Sequence, residues 1–176
     1  MTTKPAETSV LICSASTIRS GCGEAEQIKT LVSSGFVVIA AGGGGIPVVE
    51  AGDAGYEGVE AVIDKDLASA LLASSLGIPL LVLSTGVERV AIHFRQPDQR
   101  FLDRLSVTEA RQYLAEGEFP KGSMGPKVEA AITFLERGGS EVLITSPANL
   151  EQAFAGSSGT RIVADSALAS VSPQGS

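Results

Sequence analysis

The sequence predicts an α/β layered domain on a mainly parallel sheet, and three observations predict it. Short apolar runs recur at 37–40, which is rich in β-branched residues, and at 79–84 and 142–144. Segments with helical spacing fall between them, and the joining turns are short. The 176 residues carry 44% hydrophobic side chains, enough for one globular domain with its own core. No internal repeat or long linker interrupts the alternation.

Composition narrows the function classes. A net charge of −7 with 5% aromatics argues against a nucleic-acid surface. A phosphate ligand stays open, because a few local lysines can set the field of a cleft. No apolar run reaches transmembrane length and Met1-Thr2-Thr3-Lys4-Pro5 does not read as a signal peptide, so no membrane and a cytoplasmic location are expected. Cys13 and Cys22 have no C-x-x-C spacing and His93 is the one histidine, which leaves no disulfide framework and no metal site. His93 lies in an alternating segment, 90–94, and reads as an exposed strand residue.

The elements follow in order. Residues 1–9 are polar and loose, 10–12 form a short strand, and 14–23 are a Ser- and Gly-rich connection. Ala25, Ile28, Leu31 and Val32 keep helical spacing until Gly35 stops it. The run 37–40 reads as a strand buried on both faces, with Gly42, Gly43, Gly44 and Gly45 at its carboxyl end. Open α/β sheets bind ligands in that crevice, and glycine lets backbone N–H groups approach an anion closely. A plain turn needs one or two glycines, so this is a candidate ligand loop. It is neither standard phosphate fingerprint: no G-x-x-x-x-G-K-[ST] occurs, and Pro47 stands three residues after Gly44.

Residues 51–58 read as a flexible connection, and 64–77 as a helix capped by Asp64 and stopped by Gly77. Small and apolar residues on nearly all its sides place this helix inside the protein. Capping and the helix dipole account for Asp64 and Asp66, whereas Lys65 is disfavoured at that end. A bound anion accounts for all three, with Lys65 and the helix amides meeting phosphate and the acids holding the lysine. Residues 79–84 form a third buried strand, ending in Ser84-Thr85-Gly86. Ser106-Val107-Thr108-Glu109 has capping-box form and starts a helix to about Gly117. Pro126 fits a first helical position, followed by an apolar stripe of Val128, Ala131, Ile132 and Leu135 up to Gly138-Gly139. Lys127 then occupies a first turn as Lys65 does. A solvated lysine suffices for one such residue, but two in corresponding places favour a shared phosphate site. A strand at 142–144, a short helix at 147–154, a last strand at 161–163 and a disordered tail at 164–176 complete the chain.

Several stretches together resemble carbamate kinase, within the amino acid kinase family. They are Val38-Ile39-Ala40-Ala41-Gly42-Gly43-Gly44-Gly45-Ile46-Pro47-Val48 and Ala61-Val62-Ile63-Asp64-Lys65-Asp66-Leu67-Ala68-Ser69. Further matches are Gly86-Val87-Glu88-Arg89-Val90-Ala91-Ile92, Gln96-Pro97-Asp98-Gln99 and the run from Gly117 through Met124-Gly125-Pro126-Lys127 to Ala131, with a closing segment at 156–163. The resemblance implies a three-layer αβα sandwich and reversible phosphoryl transfer between ATP and carbamate, with Mg²⁺, in arginine metabolism. It implies that Gly42 to Gly45 face the acceptor and the transferring phosphoryl group, and that Lys65 and Lys127 neutralise phosphates. Asp66, with Asp64 beside it, would order the lysines. Thr85, Gly86, Met124, Gly125 and Pro126 would line the nucleotide pocket.

The family's opening G-G-N-A-L and H-G-N-G-P loops do not occur here, and residues 1–163 resemble only its carboxyl-terminal, nucleotide-binding half. His93 stands where the family commonly has asparagine. Two functions follow as expectations: a carbamate kinase-type enzyme, or a nucleotide-binding half-kinase that depends on a partner chain with the amino-terminal half. The isolated chain is expected to be inactive, and to form a homo-oligomer or bind such a partner.

Overall fold

The computed structural model describes residues 11–13, 23–40, 48–52, 55–60, 62 and 64–169. The chain divides into two compact units, Met1–Ile78 and Pro79–Ser176.

In the first unit, β1 (Leu11–Cys13) and β2 (Val38–Ala40) pair in parallel, Leu11 opposite Val38 and Cys13 opposite Ala40. Helix α1 (Gly23–Ser33) makes the crossover that a parallel pair requires. Strands β3 (Val48–Glu50) and β4 (Tyr56–Gly58) form an antiparallel hairpin, so the expected connection at 51–58 ends in a strand. Helix α2 (Lys65–Leu76) packs against α1 and β1 and buries Ala68, Ala70, Leu72 and Ala73. It stops at Gly77, whose φ of 68° is open to glycine without strain. The Gly77 N–H donates to Ser74 O at 3.1 Å and the Ile78 N–H to Ala73 O at 3.0 Å, which satisfies two terminal carbonyls. Strand β2 corrects one expectation. Val37 and Ile39 are 75% and 83% exposed, so the run is not buried on both faces. Among the described residues β2 pairs with β1 alone, which leaves much of its surface uncovered.

The second unit holds β5 (Leu80–Ser84), β6 (Val90–Ile92), β7 (Arg100–Leu102), β8 (Arg104–Ser106), α3 (Val107–Glu116) and α4 (Met124–Glu136). It continues with β9 (Glu141–Thr145), a 3-10 turn at Pro147–Asn149, α5 (Leu150–Phe154), β10 (Thr160–Val163) and α6 (Asp165–Ala169). Its main sheet has the order β5-β9-β10-β8, with β5 parallel to β9, β8 parallel to β10, and β9 antiparallel to β10. Successive residues Val142, Leu143 and Ile144 of β9 are all fully buried, so both faces of the sheet are covered there. Helix α4 packs on β5, β9 and β10, and α3 on β8 and β10. A Cβ on Gly159 would stand 3.0 Å from Leu143 Cδ1 and 3.1 Å from Ala153 Cβ, which puts α5 on the Leu143 side of the sheet. The fold is α/β with a mixed, mostly parallel sheet, as the alternation predicts.

Differences from the sequence reading have local causes. Strands β7 and β8 were not foreseen, because Arg100, Asp103 and Arg104 break up their apolar pattern. Strand β6 is buried rather than exposed: Thr160 Oγ1 accepts from the Val90 N–H at 2.8 Å and donates to Leu102 O, which ties the β6–β7 hairpin to β10. Helix α4 starts at Met124 rather than Pro126, since Pro120 O takes the N–H groups of Ser123 at 3.2 Å and Gly125 at 3.0 Å and feeds the turn into the helix. Pro126 still falls in the first turn, where an N–H has no helical partner. Part of the expected tail is helical: the Thr108 N–H donates to Asp165 Oδ1 at 3.1 Å and holds that carboxyl below its usual pKa. Residues 1–9 and the tail from 170 onward lie outside the described residues.

The tightest point of the second unit is Gly139. A Cβ there would stand 2.2 Å from Cε1 of the fully buried Phe134 ring. Gly139→Ala should therefore destabilise the protein by roughly 1–3 kcal/mol, the cost of overpacking. Urea unfolding would show it as a lower midpoint at unchanged slope, and an unchanged midpoint would mean that the ring gives way freely.

Candidate functional site

The expected site residues fall into three groups. Gly42, Gly43, Gly44 and Gly45 lie outside the described residues. Asp64, Lys65 and Asp66 belong to the first unit, and Thr85, Gly86, Met124, Gly125, Pro126 and Lys127 to the second.

At the head of α2, Asp64 Oδ1 accepts from the N–H groups of Asp66 at 2.8 Å and Leu67 at 2.9 Å. Two of the free amides at this helix end are therefore taken by the cap, and the expectation that they meet a phosphate gives way. Lys65 differs. Its side chain is 62% exposed, and its Nζ stands 3.9 Å from Oδ2 of the buried Asp66. Ser69 Oγ donates to Lys65 O at 2.7 Å and firms the same turn. The arrangement can offer an ammonium at the helix end while a buried carboxylate restrains its direction.

In the second unit, the carboxyl ends of the parallel strands β5 and β9 lie side by side, with the Thr85 N–H donating to Thr145 O at 2.9 Å. Thr145 is fully buried, yet its Oγ1 has no hydrogen-bond partner among the described residues. Such a hydroxyl costs stability unless something else satisfies it. Sequence reasoning missed Thr145. Its signal was position alone: a hydroxyl residue at the carboxyl end of a parallel strand, where α/β sheets bind ligands.

The start of α4 forms part of a cleft of about 500 Å³ lined by Leu114, Phe119, Pro120, Lys121, Gly125 and Pro126, among others. A Cβ on Gly125 would stand 3.2 Å from Pro120 O, so glycine permits the close turn that builds this wall. Phe119 is buried, its ring edge-on to Tyr113 at 6.3 Å between centroids. Lys127 follows in the same turn as Gly125 and Pro126 and is only 8% exposed, which rules out a simple solvated lysine. The cleft joins an apolar wall to one cationic residue, Lys121, and one acidic residue, Glu129, a combination that suits a ligand with a flat apolar part and a polar one.

A sequence profile of the amino acid kinase family matches residues 8–146. The chain is 54% identical over 140 residues to the carbamate kinase-like protein YahI of Escherichia coli, a match spanning 80% of this chain and 44% of that protein. It is 51% identical over 141 residues to the carbamate kinase of Clostridium perfringens, spanning 80% of this chain and 45% of that one. Among solved structures, the carbamate kinase from Giardia lamblia bound to AMP-PNP superposes with a TM-score of 0.74 at 42% identity, covering 81% of this chain and 45% of that chain. The chain thus spans less than half the length of the curated relatives it matches.

Two substitutions separate scaffolding from ligand contact. Asp64→Ala should cost about 1 kcal/mol of stability through the lost cap. Thr145→Val, which removes an unsatisfied buried hydroxyl, should stabilise the chain by about 1 kcal/mol. Thermal melting without ligand reads both, and a destabilised Thr145→Val would show that the hydroxyl is satisfied within the fold.

Proposed function

The chain belongs to the amino acid kinase family, and on that footing we propose that it is the nucleotide-binding portion of a carbamate kinase-type phosphotransferase. The single observation that carries this reading is the buried Lys127, set in the same turn as the cleft residues Gly125 and Pro126. The names of the relatives support the substrate class, and the AMP-PNP bound to the Giardia lamblia protein supports a nucleotide.

In the proposed reaction a carbamate oxygen attacks the γ-phosphorus of ATP as the bond to the β,γ-bridging oxygen breaks. ADP leaves with that electron pair and carbamoyl phosphate forms; the reverse reaction retraces the same path. Phosphoryl transfer asks mainly for positioned positive charge and backbone donors. Lys127 and Lys65 would neutralise the phosphates, and the backbone of Gly42 to Gly45 would face the transferring group. Asp66 would restrain Lys65, while Asp64 holds the helix end on which Lys65 stands. Thr85, Gly86 and residues 124–126 would line the nucleotide, with the Thr145 hydroxyl within that neighbourhood. Mg²⁺ would enter on the phosphate oxygens of the nucleotide; among the described residues no cluster of three or more His, Cys, Asp or Glu could hold a metal ion. We place the reaction in the cytoplasm; among the described residues no helix is long and apolar enough to cross a membrane.

A second reading is favoured by the first unit. Phe36, Val37, Ile39 and Val62 are exposed on or beside β2 and before α2, and apolar surface of this kind is seldom left to water. The chain would then work as a nucleotide-binding subunit, joined to a second copy or to a chain carrying the remainder of a carbamate kinase.

Isothermal titration of the chain with ADP and Mg²⁺ should show binding, and no heat at millimolar nucleotide would sink the nucleotide reading. In an assembly that turns over, Lys65→Ala and Lys127→Ala should each lower ATP formation from ADP and carbamoyl phosphate by roughly 10²–10³-fold, the scale for one preorganised electrostatic group. Near-normal turnover would assign those lysines to the scaffold. Light scattering tests the second reading: self-association or capture of the added complementary half is expected, and a monomer indifferent to that half would refute it.

A further inference from the structure

The proposed nucleotide reading leaves one cluster in the second unit unused. His93 follows β6 with φ of 51°, a left-handed conformation that non-glycine residues adopt at a cost. Its Nδ1 lies 2.6 Å from Asp98 Oδ2 and its Nε2 lies 3.2 Å from Glu118 Oε1. Its backbone N–H donates to the other oxygen of Glu118 at 2.7 Å. Both ring nitrogens thus face carboxylate oxygens. Only the protonated ring carries a positive charge that attracts both; the neutral ring carries none. The Gln96 N–H donates to His93 O at 2.9 Å and the Arg95 N–H to Gln99 Oε1 at 2.8 Å, so the loop is tied within itself. The Arg95 guanidinium carbon lies 5.3 Å from the Phe94 ring centroid. Asp98 from the same loop and Glu118 from the segment after α3 are the charged groups that face the ring among the described residues.

Glu118 is the link to the cleft. It directly precedes Phe119 and Pro120, two residues that line the cleft, and Pro120 O receives the N–H groups of Ser123 and Gly125. Moving the Glu118 carboxylate would therefore move the anchor of that wall.

We propose that His93, in its protonated form, is a positioning residue that sets the Phe119–Pro120 wall of the cleft through Glu118. Its effect on ligand affinity rests on the nucleotide reading above; its effect on the wall does not. Raising the pH removes the ring proton and with it the positive charge that attracts both carboxylates, and loosens the wall. Asparagine tolerates a left-handed φ, so His93→Asn keeps the backbone conformation and abolishes the titration.

Because the protein has one histidine, its ring titration is read directly by NMR of the full chain. The backbone amide signals of Ser123 and Gly125, followed without ligand, should shift with the same midpoint as the His93 ring, and should stay flat through that range in His93→Asn. Amides that ignore the ring, or that titrate unchanged in His93→Asn, would overturn the proposal whether or not nucleotide binds. In the presence of ADP, affinity should weaken by roughly fivefold or more as the ring deprotonates in the wild-type chain and not in His93→Asn. If the amides follow the ring and ADP does not bind at any pH, the positioning role stands and the nucleotide reading falls.

Discussion

The second unit depends on one buried hydroxyl. Thr160 Oγ1, on β10, takes the N–H of Val90 and gives its proton to the carbonyl of Leu102. A single side chain thereby satisfies one backbone group on each strand of the β6–β7 hairpin and joins that hairpin to the main sheet. Both backbone groups would otherwise be buried and unpaired, a cost of about 1–3 kcal/mol apiece. The hairpin in turn carries the His93 loop, and the loop holds Glu118 at the entry to the cleft wall. One bond pattern in the core therefore extends by contiguous contacts to the candidate site.

Charge is spent differently at the two helix ends that matter most. Asp64 uses its carboxylate on the backbone of α2, so the end of that helix is capped from within. This removes the need for an anion at those amides and leaves Lys65 as the group free to reach outward. At the head of α4, Ser123 makes no side-chain cap. Order there comes instead from the Pro120 carbonyl and from the tight fit at Gly125. The first arrangement is electrostatic and local; the second depends on the packing of Phe119 beneath the turn.

Burial also divides the chain. In the second unit, β9 is covered on both faces and its neighbours form a continuous core of aliphatic side chains. In the first unit, the apolar residues around β2 are largely exposed, although their sequence is as hydrophobic as that of β9. Composition measures the tendency to be covered, and covering requires a second surface. The same reasoning explains why an apolar run was legible as a strand while its burial was not.

The sequence by itself determined what local rules decide. The cap and stop of α2 at Asp64 and Gly77, the capping box at Ser106 and Glu109, and the strands at β5, β9 and β10 all depend on residues within a few positions of one another. Local spacing also exposed the lysines at two helix beginnings, and motif order exposed the family. Tertiary structure alone decided which groups meet across the chain. The pairing of His93 with Glu118, the burial of β6 by Thr160, the pairing of β7 with β6 and of β8 with β10, and the stranded hydroxyl of Thr145 join residues far apart in sequence or depend on what packs around them. No local propensity encodes such encounters. They follow from sheet order, which brings β10 beside β8 and β9 and so sets the neighbours of every side chain on them.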